Sequence, residues 1–272
     1  IGVFDAELEQ AMPQVRPAHG LCAFWDMDAP ATLDAIAADP THHLRDVVPR
    51  YDVVLACGGG ALAVNGYDRL GARLCVPLHN ALDPATHFPA PGRLNYRCDL
   101  SFLADRRCDR EARVDTFFVR PATILRHHSF LLGGAGWHGK ILPANVRCVG
   151  HIRVDHHNCF FGSGLATLNV GRDSMVRYGY SPPARLFEAV GAGACLITDA
   201  REGIADFLEP DREVLVAADG EEVAELLAHL TPEDARTIAA AARARILAHH
   251  TYEHRAREVD AVLAAMTHEV AA

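Results

Sequence analysis

Two charged side chains stand where a buried helix would call for apolar ones. In residues 181–199, SPPARLFEAVGAGACLITD, Arg185 and Glu188 are three apart. They therefore share one face of the helix that Pro182 and Pro183 begin, close to its start. A Glu there could accept both hydroxyls of a ribose, with Ser181 at the head of the same stretch. A surface ion pair between Arg185 and Glu188 accounts for the same spacing. Other candidates sit just past apolar runs. Gly133-Gly134-Ala135-Gly136-Trp137 follows FLLG, and the small residues Gly134 and Gly136 would let backbone N–H groups approach a phosphate; a plain turn is the alternative. His151 follows Gly150 after NVRCV, as a loop histidine of structural or functional use. Arg172 follows LATLNV and reads either as a phosphate clamp or as a surface ion pair.

Asp26 and Asp28, in FWDMDAP, have the Asp-x-Asp spacing of some metal sites. Alternate residues of a strand point to opposite faces, so the two are not expected to chelate one ion. One of them could instead serve as a general base, or both could serve as turn and cap residues. Doubled histidines occur at 42–43, 127–128, 156–157 and 249–250. Neighbouring side chains diverge, and no helical His pair four apart with an intervening Glu occurs, so no metal site is expected.

The elements that must position these groups alternate. Residues 21–25, 52–57, 73–77, 98–103, 130–133, 145–149, 165–170, 194–198 and 213–217 are short, continuous apolar runs of the kind that form parallel strands covered on both faces. Most gaps between them leave room for a crossover helix, which predicts an α/β fold. Thr231-Pro232-Glu233-Asp234 offers an N-cap, a Pro at the first helical position and acids in the first turn of a helix to about Leu247. Thr251 can cap a last helix to about Met266. The Pro-rich stretch 82–95 separates three strands from six, and predicts a short part over 1–90, a fuller α/β domain over 91–250 and a C-terminal helix over 251–272.

The chain has 272 residues, half of them hydrophobic, and a formal net charge of −9. That is enough for one or two cored domains, and its acidity argues against a nucleic-acid partner. The eight cysteines lie far apart with no CxxC, and Cys22, Cys57, Cys75 and Cys195 fall in apolar runs. They read as buried thiols of a reducing compartment. No apolar run is long enough to span a bilayer, so the cytoplasm is the expected location. The chain opens at Ile1 on residues that read as the middle of a domain, and a preceding segment is expected to have been lost.

The stretch 181–199, with LNVGR (168–172) upstream and HTYEHR (250–255) downstream, resembles the CgeB-like, spore-maturation-type branch of the glycosyltransferases. NVR (145–147) with Gly150-His151, and FWDMDAP, fit the same pattern. The resemblance implies the GT-B fold: two Rossmann-like parallel-sheet domains facing a cleft, here with an incomplete N-terminal domain. It implies transfer of a sugar from a nucleoside-diphosphate sugar, with UDP somewhat favoured, to an unknown acceptor, and no cofactor or divalent metal at the donor site. Glu188 matches the family's ribose-binding Glu; the second Glu found eight residues earlier in many relatives is Tyr180 here. Asp26 or Asp28 would act as base, and Gly134, Gly136, His151, Arg172, Ser181, Arg185 and Glu188 would hold the donor. Two rival functions stay open: a non-catalytic nucleotide-sugar binding module in surface or spore-layer assembly, and a nucleotide-sugar hydrolase or epimerase.

Overall fold

The computed structural model of the chain describes residues 6–17 and 20–271. All nine expected strands form, and every strand pair is parallel. The chain divides into two compact units, Ile1–Asn80 with Ser174–Pro182 and Arg255–Ala272, and Ala81–Asp173 with Pro183–His254.

The first unit holds β1 (Ala23–Asp26), β2 (Val53–Ala56) and β3 (Cys75–Pro77) in the order β1-β2-β3. One face of this small sheet, through Phe24, Val54 and Ala56, packs with Leu33, Ile36 and Tyr67 from the helices Ala29–Ala38 and Gly60–Arg69. The other face, Val53 and Leu55 with Leu78, is met by Val259, Val262 and Met266 of the last helix, Tyr252–Ala271. The alternation of Val53 and Leu55 against Val54 and Ala56 is the period of two that sends successive strand side chains to opposite faces.

Ser174–Pro182, which the chain order would count with the C-terminal domain, belongs to this unit. The reason lies in Gly58, Gly59 and Gly60, all at positive φ just past β2. A Cβ on Gly58 would stand 2.7 Å from Ser181 Oγ, and one on Gly60 2.9 Å from the Tyr180 ring. Only glycines let the segment pack this closely.

The second unit carries β4 (Cys98–Leu103), β5 (Phe130–Gly133), β6 (Val146–Gly150), β7 (Gly164–Asn169), β8 (Leu196–Asp199) and β9 (Leu215–Ala217). Their order is β6-β5-β4-β7-β8-β9. The chain works outward from β4 in one direction, then returns to β7 and works outward in the other. Both faces are covered: Phe102, Leu132 and Ile197 enter one core with Phe118 and Phe130, while Leu103, Leu131 and Leu196 enter the other with Phe160, Phe161 and Phe187. That is why these strands read as unbroken apolar runs. The helix Pro232–His249 begins at the expected cap, with Thr231 Oγ1 accepting from the Asp234 N–H at 3.2 Å. No described helix is long and apolar enough to cross a membrane.

Candidate functional site

An open parallel sheet binds ligands beyond the carboxyl ends of its strands, where the strand order reverses. In the second unit that point lies between β4 and β7. A pocket opens there, lined by Leu103 and Ala104 after β4, by Asn169 and Val170 at the end of β7, and by Arg110 and Arg185. Two of its polar groups are buried and unpartnered among the described residues: Arg110 Nε and Asn169 Nδ2. Buried donors without acceptors are uncommon and costly, so a pair of them on one pocket points to a ligand rich in acceptor atoms.

Charge agrees with that reading. Burial pulls the Arg110 pKa down, Asp109 pulls it back up, and Arg107, Arg172 and Arg185 each add repulsion. Arg110 thus feels three other guanidinium groups around the strand ends. Among the ion pairs here, Arg172 Nε meets Asp109 Oδ2 at 2.5 Å and Arg185 Nη1 meets Glu188 Oε2 at 3.1 Å. The excess is cationic and suits a polyanion. Beside it Asp199, fully buried at the end of β8, accepts from Arg113 at 2.5 Å and from the Gly171 N–H at 3.3 Å. Arg201 sits 3.5 Å away and is itself buried, which lowers its pKa. This group ties the β7 and β8 ends together.

A larger crevice of about 500 Å³ lies at the opposite end of the same strands, by Cys98 and Gly164. It holds none of the unpartnered donors and lies at the amino ends, so the smaller pocket is the better candidate.

Glu188 lies on the helix Ala184–Gly191, and its protein contacts converge on Oε2: Arg185, and His157 Nδ1 at 4.0 Å. Glu188 and Arg185 are both partly exposed, with 24% and 38% of their side chains accessible. They share one face of the helix, as their spacing predicts, and their ion pair forms. His87 completes the surroundings. With His157 and Glu188 it offers three ligand atoms within 4.8 Å of one another.

The remaining candidates scatter. The Gly134 N–H donates to Gly150 O at 2.7 Å and the Ala135 N–H to Asp105 Oδ1 at 2.7 Å. A Cβ on Gly134, at φ +124°, would lie 2.0 Å from Ala104 O, and Trp137 Nε1 donates to that same carbonyl at 2.7 Å. The glycines thus serve a tight turn, Gly136 also at positive φ. His151 is exposed. Ser181, in the first unit, accepts from the Gly59 N–H at 2.8 Å and donates to Gly179 O at 2.7 Å. Asp26 is buried there, with Oδ1 accepting from the Asp28 N–H and Thr32 at 3.0 Å each, and Oδ2 from Tyr67. Burial raises its pKa. Asp28 is half-buried and precedes the helix Ala29–Ala38 without capping it.

No local sequence pattern singles out Arg107, Arg110, Arg113, Asn169, Asp199, Arg201 or His87. The legible signal was the basic run ADRRCDREAR, residues 104–113, immediately past the apolar strand 98–103.

A family model described as "Glycosyl transferase-like" matches residues 107–261. No curated protein matches. Among solved structures, HepE (Alr3699) of Anabaena in complex with UDP-glucose superposes with a TM-score of 0.66 at 12% identity, covering 91% of this chain and 73% of that one. Sucrose-phosphate synthase of Thermosynechococcus elongatus does so with 0.68 at 17%, covering 96% and 71%. The T4 phage BGT complex with its UDP-glucose substrate gives 0.55 at 10%, covering 88% and 70%. At such identities the likeness concerns the fold, which is of the GT-B type with Rossmann-like parallel sheets.

Proposed function

The chain belongs to the glycosyl transferase-like family, and on that premise we propose that it transfers a hexosyl or related group from a UDP-sugar to an acceptor hydroxyl. The observation that carries the reading is the pocket at the β4/β7 reversal, with Arg110 Nε and Asn169 Nδ2 buried in its wall and without acceptors among the described residues. A nucleoside diphosphate supplies those acceptors. In transfer, the bond from the sugar's anomeric carbon to the diphosphate breaks and negative charge collects on the departing oxygen. Guanidinium groups placed beforehand stabilise that charge without reorganising. Arg110, Arg172 and Arg185 take this part, and holding the donor in place contributes the remainder.

Glu188 is assigned to the ribose. A carboxylate accepting both hydroxyls orients the nucleoside so that its phosphates reach the arginines. Asp28 or Asp26 is assigned as the base for the acceptor hydroxyl. The donor site uses no metal. The CgeB-like branch and a cytoplasmic location remain part of this proposal.

Isothermal titration with UDP and UDP-glucose, each in a chelator, tests binding. Arg110→Ala should weaken both by about tenfold or more, since a hydrogen bond to a charged group is worth about 1.5–3 kcal/mol. Release of free UDP from UDP-glucose, with and without a cell extract as acceptor source, tests the reaction. Transfer requires the extract, hydrolysis does not, and a binding module releases nothing. Wild-type affinity for UDP in Arg110→Ala would overturn the site.

A further inference from the structure

Three side chains meet in the second unit for reasons the proposed donor site does not need. His87 lies on the loop after Leu82, its backbone N–H donating to Asp83 O at 2.9 Å. His157 opens the helix His157–Phe161, and Glu188 is on Ala184–Gly191. The loop reaches Glu188 because Gly191, one turn along that helix, has no side chain: a Cβ there would lie 2.3 Å from Leu82 Cδ1 and 3.0 Å from His87 O. We propose that His87, His157 and Glu188 form a site for a divalent transition metal, Zn²⁺ foremost, and that metal bound there excludes a nucleotide sugar from Glu188.

The donor chemistry selects the ion. Two imidazoles and one carboxylate suit Zn²⁺, Co²⁺ or Ni²⁺, whereas Ca²⁺ and Mg²⁺ prefer oxygen alone. The rings are set for ligation. His157 Nε2 is 3.3 Å from Ile152 O, and a carbonyl only accepts, so Nε2 carries the proton. The lone pair is then on Nδ1, the atom 4.0 Å from Glu188 Oε2. Fixing a ligand histidine through its other nitrogen onto a backbone carbonyl is the usual support of a metal site. His87 is more than nine-tenths buried, and its Nε2 has no partner among the described residues. The three ligand atoms lie within 4.8 Å of one another. Tetrahedral zinc with bonds near 2.0–2.1 Å needs about 3.3 Å between ligands, so each must move by less than about 1 Å.

One cation is already present. Arg185 Nη1 stands 3.4 Å from His157 Nδ1 and 3.1 Å from Glu188 Oε2, on a partly exposed side chain. A metal must displace it, so the site is a switch between a guanidinium and a metal ion at the same carboxylate. Excluding the nucleotide sugar rests on the assignment of Glu188 to the ribose; metal binding itself does not.

The test is titration of the metal-free full chain with ZnCl₂ and, separately, CoCl₂, followed by calorimetry and by the visible absorption of bound Co²⁺. The wild type should bind one equivalent, with Co²⁺ giving the intense bands of a four-coordinate site. His87→Gln and His157→Asn should each lose at least tenfold in affinity. Arg185→Gln should bind more tightly, because the competing cation is gone, an outcome that adventitious surface histidines would not give. Affinity unchanged in both histidine variants, or absence of binding by the wild type, overturns the proposal. Titrating UDP-glucose with and without Zn²⁺ tests the exclusion: zinc should weaken UDP-glucose, and UDP-glucose should weaken zinc by the same factor, as reciprocal linkage requires. Independence of the two ligands would sink the exclusion while the metal titration stands. Failure of UDP-glucose to bind even in a chelator would instead strike the donor reading.

Discussion

Replacing Glu188 by Gln separates its two assignments. As a surface ion pair, Glu188 and Arg185 are an i,i+3 contact at 3.1 Å between two partly exposed side chains. Such a pair contributes at most about 0.5 kcal/mol. For a chain of this size that moves the melting temperature by roughly 2 °C or less. As a ribose acceptor, the carboxylate makes two charge-assisted hydrogen bonds that Gln cannot reproduce with its single carbonyl oxygen. Losing the charge then costs about 1.5–3 kcal/mol in binding, or roughly 10- to 150-fold in affinity. The two expectations differ in the observable that moves: one shifts stability slightly and binding not at all, the other shifts binding strongly. Calorimetric titration with UDP, in a chelator so that metal at the same carboxylate plays no part, reads the second; thermal unfolding reads the first. A 2′,3′-dideoxy-UDP titration supplies the internal control, since a ligand without the hydroxyls should bind wild type and variant alike. Unchanged UDP affinity in Glu188→Gln, or an equal loss with the dideoxy nucleotide, would refute the ribose assignment.

Asp199→Asn should destabilise the chain by about 3–5 kcal/mol, because it leaves Arg113 and the buried Arg201 without their counter-charge; a loss under about 1 kcal/mol in denaturant melts would contradict this. Gly134→Ala should cost at least about 3 kcal/mol, since φ is +124° and the new Cβ would stand 2.0 Å from Ala104 O; wild-type unfolding would refute the turn argument. His87 and His157 both have pKa values below the ordinary 6.5 in the folded chain, through burial. The unfolded chain therefore binds more protons just below pH 6.5, so their contribution is complete above that pH and declines as pH falls toward the folded values; replacing both by Gln should flatten this part of the stability profile measured by thermal melts. Native thiol labelling should modify the exposed Cys108 and Cys148 first, while Cys75 and Cys195, pushed up to about 12 by burial, stay unmodified until the chain unfolds; rapid labelling of Cys195 would count against the packing described.

The strands were legible because the central ones, such as β2, β5 and β8, are buried on both faces, and a run such as FLLG has few other destinations in a folded chain. The four cysteines expected inside, Cys22, Cys57, Cys75 and Cys195, are buried free thiols for the same reason. The site was legible in part. Arg185 and Glu188 declared themselves through helical spacing, which is local. Arg110 and Arg113 did not, since a charged run such as DREAR reads as a solvated helix face, and only the fold reveals that it lies against the ends of β4 and β8. Gly134 shows the converse failure: a glycine-rich turn past a strand has the sequence of a phosphate loop, but the partner of its N–H is Gly150 O, sixteen residues on. His87, His157 and Glu188 are separated by seventy and thirty-one residues, and no local pattern links them. Within the doublet 156–157 the side chains do diverge, His156 turning to Tyr96 while His157 faces Glu188.

The first unit is closed by a helix from the far end of the chain. Val259, Val262 and Met266 cover Val53, Leu55 and Leu78, so about two hundred residues separate the making of that sheet from the making of its cover. On a ribosome the sheet emerges first and waits longest. Until that helix is made, the earlier unit presents a bare Val-Leu surface to the surrounding solution. The cover of the first unit is thus among the last parts of the fold to be made, and the interval before it is when strand edges and apolar surface are most open to association with other chains. Slowing translation late in the message would lengthen that exposure without changing one contact of the finished fold.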